Sequence, residues 1–348
     1  MRPTLLIVTA AFAACTCTTA ASGQTVDAHA MRDATVTTAR SAFHGPYQGR
    51  DRGPEQTDRF SGKYKIGRDG RVSVQNISGD ITVTGGSGDE VSVDAIKRTH
   101  GDRGTLGDVR IQVDNAANRV DIRTEYPRMS HTNVSVDYTL TVPNGASVEL
   151  HSISGSIKVT GVKGSLRVET VSGGVTASDT PNVELAKTVS GDVSLSGVST
   201  DGNVTAGTVS GTVTARGLKA KRLDLSSVSG DMTLTDVVVT SVHAKSISGG
   251  FEYSGAIQKS GDYDVNVHSG TIRFTLANPS GFYLNADTFS GSIRTDFPVT
   301  IGGKATPSSD DRSLRRMRMG QSISGTNGDG SATLTLRTFS GNIVISKK

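Results

Sequence analysis

Residues 204–215 read Val204-Thr205-Ala206-Gly207-Thr208-Val209-Ser210-Gly211-Thr212-Val213-Thr214-Ala215. Nineteen residues later the chain repeats itself as Leu223-Asp224-Leu225-Ser226-Ser227-Val228-Ser229-Gly230-Asp231-Met232-Thr233-Leu234. Apolar residues alternate with polar ones on both sides of a Ser-Gly pair, which is strand periodicity with one face buried. The pair with its apolar predecessor recurs at Ser78, Ser154, Ser172, Ser190, Ser210, Ser229, Ser248, Ser290 and Ser340, and His268-Ser269-Gly270 is a variant. From Ser154 to Ser290 the spacings are 18, 18, 20, 19, 19, 21 and 21 residues, and Ser78 to Ser154 is 76. A fixed period of this size marks stacked supersecondary units.

The alternation predicts an all-β chain. Each unit is a strand, a Ser-Gly corner and a second strand, stacked into a parallel β-solenoid (β-helix) of about 19-residue rungs. The pairs Ser172-Gly173, Ser190-Gly191, Ser210-Gly211 and Ser229-Gly230 are its structural corners. Gly permits a positive φ there, and the preceding Ser can bond the corner backbone. Two residues before the Ser stand Thr170, Thr188, Thr208, Ser227 and their equivalents, expected as a ladder of hydroxyls bonded along the axis. Glu184 falls where an apolar residue is due, and Pro181 before it predicts a bulge. About 15 rungs would make a rod roughly 70 Å long.

Composition agrees. The 348 residues include 41 Gly, about 12 % against a usual 7 % or so. Aromatics are 5 %, Trp is absent, and 37 Lys and Arg face 33 Asp and Glu. A helical bundle and a nucleic-acid protein driven by bulk charge are both excluded.

Arg2, the apolar run from Leu5 to Ala14 and Ala21-Ser22-Gly23 read as a signal peptide over 1–23. The run is too short for a membrane-spanning helix, and no other segment approaches that length. Both cysteines, Cys15 and Cys17, lie inside it, so cleavage after Gly23 leaves no thiol for a disulfide, a nucleophile or a metal. Phe12-Ala13-Ala14-Cys15 offers a rival route, a lipid anchor at Cys15. Residues 24–60 read as a flexible leader, with a helical turn or two over Ala34 to Phe43 as the one element expected in it. Residues 61–147 read as a looser β region capping the solenoid, and 148–297 as its regular repeats. An irregular basic loop spans 298–330, and final strands span 331–348. Lys347 and Lys348 are expected to guard an open edge.

The Ser-Gly corners resemble those of the bacterial putative-adhesin family, a β-strand-repeat domain of unknown function. Val136-Asp137-Tyr138-Thr139-Leu140-Thr141-Val142-Pro143-Asn144-Gly145-Ala146 and Gly328-Asp329-Gly330 support the resemblance, which covers roughly residues 60–348. It implies an exported solenoid with an adhesin-type role and supplies no catalytic residue.

The chemistry-bearing residues are sparse. His29, His44, His100, His131, His151, His243 and His268 show no metal-ligand spacing. His151 and His243 fall on outward positions, and His268 is expected as a packed corner histidine. Asp192 and Asp231 stand two rungs apart just after the corner. They read as solubilising turn residues, or alternatively as a carboxylate pair or cation site. Gly85-Gly86-Ser87-Gly88-Asp89-Glu90 approaches a calcium-binding nonapeptide once, with Glu where Asp is due. Arg312, Arg315, Arg316 and Arg318 form a possible anion-binding surface, since the guanidinium fork suits lipid phosphate or acidic glycan.

No catalytic constellation and no cofactor site emerges. The sequence points to an exported, non-enzymatic structural or interaction protein of the cell envelope. Its partner would be an envelope glycan, a surface or another protein, with no nucleic acid. It would lie in the periplasm, at the outer surface or in the medium. The alternatives are an enzyme acting on envelope polysaccharide and a periplasmic scaffold or sensor of envelope stress.

Overall fold

The computed structural model describes residues 54–127, 133–277, 281–300 and 320–348. The expected signal peptide with Cys15, nearly all of the leader, and Arg312, Arg315, Arg316 and Arg318 lie outside the described residues. The regular structure of the described residues is strand, apart from the short helical turn Thr105–Asp108.

The strands stack in parallel through their corners. Ser172 pairs with both Ser154 and Ser190, Ser210 with Ser190 and Ser229, and Ser248 with Ser229 and Ser269. Strands before the corner form one sheet and strands after it a second. In the second, Val193 lies level with Val175 and Val213, and Met232 level with Val213 and Phe251. The alternating apolar residues of both sheets point between them. Val204, Ala206, Val213, Ala215, Leu223 and Leu234 are inaccessible to solvent, in one continuous core. At Glu184 the register shifts by one: Leu166 pairs with Val183 but Arg167 with Leu185. The bulge turns Glu184 outward, 2.8 Å from Arg167 Nε.

Two departures from chain order reshape the ends. The rung Arg71–Ser78 and Ile81–Gly86 lies directly on Ser147–Ser154 and Ile157–Thr160, with Ser78 opposite Ser154. Residues 90–127 and 133–143 lie over its other side. Arg119–Glu125 and Val134–Pro143 add a parallel rung, and Glu90–Thr99 lies antiparallel to both Val134–Pro143 and Gln56–Lys65. The last of these strands starts at Gln56, inside the stretch to residue 60 expected as a flexible leader.

At the other end the final strands, Ala332–Ser340 and Ile343–Lys347, do not close the stack. They insert between Asp262–Ser269 and Gly281–Ser290, so Ser340 pairs with Ser269 on one side and Ser290 on the other. Beyond them Gln321–Gly328, expected as part of an irregular loop, runs antiparallel to Gly281–Ser290. Lys347 and Lys348 therefore guard no edge. Lys348 Nζ reaches Asp236 Oδ1 at 3.2 Å, and Lys347 lies over the Phe297 ring. Because rungs are shared out this way, the stack holds about eleven two-stranded rungs, on the order of 50 Å, rather than the fifteen expected.

Candidate functional site

The corner is where polar and apolar columns converge. Gly191, Gly211 and Gly230 have φ of +145°, +143° and +145°, a region side chains rarely adopt. A Cβ on Gly211 would run into the carbonyl oxygen of Gly191, and one on Gly230 into that of Gly211. The glycine is therefore required twice, for its φ and for the close approach of successive rungs.

The buried threonine hydroxyls two residues before the Ser bond to glycine carbonyls of the adjoining rung, not to one another as the sequence suggested, whereas Ser227 Oγ donates to Gly230 O of its own corner and Ser152 and Ser246 find no partner among the described residues. Thr188 Oγ1 donates to Gly173 O at 2.9 Å, Thr208 Oγ1 to Gly191 O at 3.0 Å and Thr288 Oγ1 to Gly341 O at 3.0 Å. Each ties its rung to the next and satisfies a carbonyl whose burial would otherwise cost about 1–3 kcal/mol. The corner Ser contributes its backbone instead: Gly173 N donates to Ser190 O and Gly191 N to Ser210 O, both at 2.9 Å. The Ser172, Ser190, Ser210 and Ser229 side chains are exposed.

The carboxylates after the corner are structural as well. Asp192 Oδ1 accepts from Thr212 N at 2.7 Å and Thr212 Oγ1 at 2.9 Å. Asp231 Oδ1 accepts from Gly250 N at 2.6 Å, and Asp80 Oδ1 from Ser156 N at 2.7 Å. The backbone bond from Thr212, joined by its hydroxyl, holds the Asp192 carboxyl below the usual range. Each aspartate thus caps the corner of the following rung. Asp192 and Asp231 are exposed turn residues, as expected, and each also bonds the backbone of the next rung.

The other sequence candidates do not come together. Asp89 of the calcium-like stretch pairs with Lys65 Nζ at 3.2 Å. Among the described residues no group of three or more His, Cys, Asp or Glu is placed to hold a metal ion. His151 sits between Glu149, at 3.2 Å, and Glu169, at 3.5 Å, on the outer face of the first sheet. His243 lies 3.5 Å from Asp264 on the same face. His268 is exposed rather than packed in a corner, and its ring stacks on Phe339 at 5.0 Å.

The feature missed in the sequence is the residue immediately before each Ser. In stack order this column is Ile77, Ile153, Val171, Val189, Val209, Val228, Ile247, His268, Phe339 and Phe289. Every apolar member is 39–56 % exposed. Phe289 and Phe339 stack with centroids 4.8 Å apart and rings 5° from parallel. Shallow open grooves run beside the ladder. One of about 440 Å³ lies along Val171, Val189 and Val209, with His151, Glu169 and Lys187 on its rim. Another, of about 570 Å³, lies along His268, Phe339 and Phe289, with Asp287 and Arg337 beside them. The signal was present in the alternation. Residues six, four and two before the Ser face inward, so the one directly before it must face out. A contiguous exposed apolar surface of this length is larger than the scattered apolar residues usual on a protein surface.

Comparison with known proteins adds the following. No curated protein matches the sequence. Three solved structures share 8–12 % identity with it. A putative cell adhesion protein from Clostridium sporogenes ATCC 15579 is 10 % identical over 84 % of this chain and 100 % of its own, with a TM-score of 0.22. A putative adhesin from Bacteroides fragilis NCTC 9343 is 12 % identical over 83 % and 97 %, with a TM-score of 0.40. One from Parabacteroides merdae ATCC 43184 is 8 % identical over 84 % and 96 %, with a TM-score of 0.27. At these scores the likenesses carry no argument of their own. The Toastrack DUF4097 family model matches residues 164–346, more than half of the chain and the corners from Ser172 to Ser340. The chain belongs to the Toastrack DUF4097 family.

Proposed function

We propose that this chain is an exported, non-enzymatic interaction protein of the cell envelope, with an adhesin-like role. Its rungs of about 19 residues form a rigid solenoid that meets its partner through repeated shallow contacts. The observation that carries this reading is the stacking of exposed side chains in continuous columns around every corner. Such a surface offers the same contact once per rung, and many weak contacts sum to avidity without a deep pocket. The run from Leu5 to Ala14 supports export.

The polysaccharide-acting enzyme is disfavoured by one observation: Asp192 and Asp231 each commit Oδ1 to a backbone N–H group of the next rung. The test is to mix the purified chain with isolated envelopes, sediment them, and assay the supernatant for released reducing sugar. Co-sedimentation without sugar release is the expected result. Sugar release that disappears in both Asp192→Asn and Asp231→Asn would overturn the non-enzymatic reading.

A further inference from the structure

We propose that the exposed apolar ladder is a self-association surface, on which two copies of this chain lie side by side with their stacks running in the same direction. This goes beyond the envelope-binding reading and does not depend on it.

The first argument is area. The nine apolar members are each 39–56 % exposed. Together they offer on the order of 800 Å² per copy, about what one partner gives to a standard protein interface. The surface is also of the right kind. It is a flat column of Val, Ile and Phe at one rung spacing, with charged residues confined to its flanks, as in an apolar interface core with a polar rim. Left in water, a stripe of this size costs solubility.

The second argument is charge, and it fixes the direction. The ladder is flanked on one side by the residues three before the Ser, including Glu169, Lys187, Lys245 and Arg337. On the other side stand the residues two after it, including Asp192, Asp231 and Asn342. A two-fold axis along the stack sets like rungs level and each flank against the opposite flank of the second copy. Lys187 then faces Asp192, Arg337 faces Asn342, Ser226 faces Asp231, and no two like charges meet. A two-fold axis across the stack reverses one copy and sets each flank against the same flank. With full overlap, Lys187 then faces Lys245. Like charges brought together in this way are disfavoured, so the parallel arrangement prevails.

Repetition makes the arrangement self-complementary. With like rungs level, Val209 meets Val209 and Phe339 meets Phe339, and the same packing recurs up the stack. The interface is therefore isologous and closes at two copies.

The test reads oligomeric state, with no envelope present. The purified chain should sediment with the mass of two chains. Val189→Glu with Val228→Glu should halve that mass while the strand content by circular dichroism stays that of the parent, because both side chains lie outside the core of the single chain. A monomeric parent chain would overturn the proposal, as would a double variant that remains dimeric. Direction is read by oxidation with Cys15 and Cys17 both changed to Ser. Val209→Cys should then cross-link to itself, as should Ile153→Cys. Failure of Ile153→Cys to link to itself, together with its linkage to Phe339→Cys in a mixed sample, would overturn the parallel order.

Discussion

Gly211 shows how much one side chain decides. Its φ of +143° and the Gly191 carbonyl oxygen lying where a Cβ would go leave no room for alanine. Gly211→Ala should destabilise the fold by more than about 2 kcal/mol in chemical unfolding. The neighbouring strand tests the inward register. Val213 is fully buried and Thr214 faces outward. Val213→Asp should abolish cooperative unfolding, and Thr214→Asp should shift stability by no more than about 0.5 kcal/mol. Asp192 predicts a pH dependence. Its carboxyl is held low in the folded chain, chiefly by the Thr212 backbone N–H. Its contribution is therefore present above the unfolded value of about 3.9 and is lost as pH falls through the lower folded value. Asp192→Asn keeps an acceptor oxygen, as Asn342 does naturally for Ser292 N at 3.0 Å. An acid titration of stability should therefore be flatter for this variant than for the parent chain, while Asp192→Ala should lose about 1 kcal/mol at neutral pH. These inward and outward assignments were legible in the sequence, because the alternation is strict and one corner flips both strands together. The acceptor of the Thr208 hydroxyl was not. It depends on the offset between rungs, and only the stacked backbone places Gly191 O beneath it.

At the scale of elements, the rungs are interchangeable parts, and that explains what the sequence hid. Ser269, Ser340 and Ser290 are chemically the same corner, so nothing local says which rung should lie on which. Insertion of Ala332–Ser340 and Ile343–Lys347 between earlier rungs satisfies the same pairing as stacking in chain order would. Phe339 is sandwiched between His268 and Phe289, at 5.0 and 4.8 Å. This order was unreadable from periodicity, which records spacing along the chain and not position in the stack. Likewise the antiparallel strand Gln321–Gly328 has a weak alternation and several small polar residues, and reads as loop until its partner Gly281–Ser290 is known. The bulge at Glu184 was legible, because Pro181 and the misplaced charge mark it. The pair it makes with Arg167 is exposed on both sides. Glu184→Ala should therefore cost no more than about 0.5 kcal/mol in chemical unfolding.

For the whole molecule, function follows from what the corners leave outside. The buried Thr188 and Thr208 hydroxyls and the Asp192 and Asp231 carboxylates are drawn into rung-to-rung bonds. What remains exposed is repetitive: Ser hydroxyls, outward charges and an apolar ladder. Such a surface suits contact along a length rather than chemistry at a point. The measurement that tests this account most directly is protease shaving of intact cells, with mass spectrometry of the released peptides. The account predicts repeat peptides such as those spanning Ser190 to Ser248 in the released fraction, either from whole cells or once the outer envelope is opened. Peptides that stay protected until the cytoplasm itself is released would contradict an exported interaction protein.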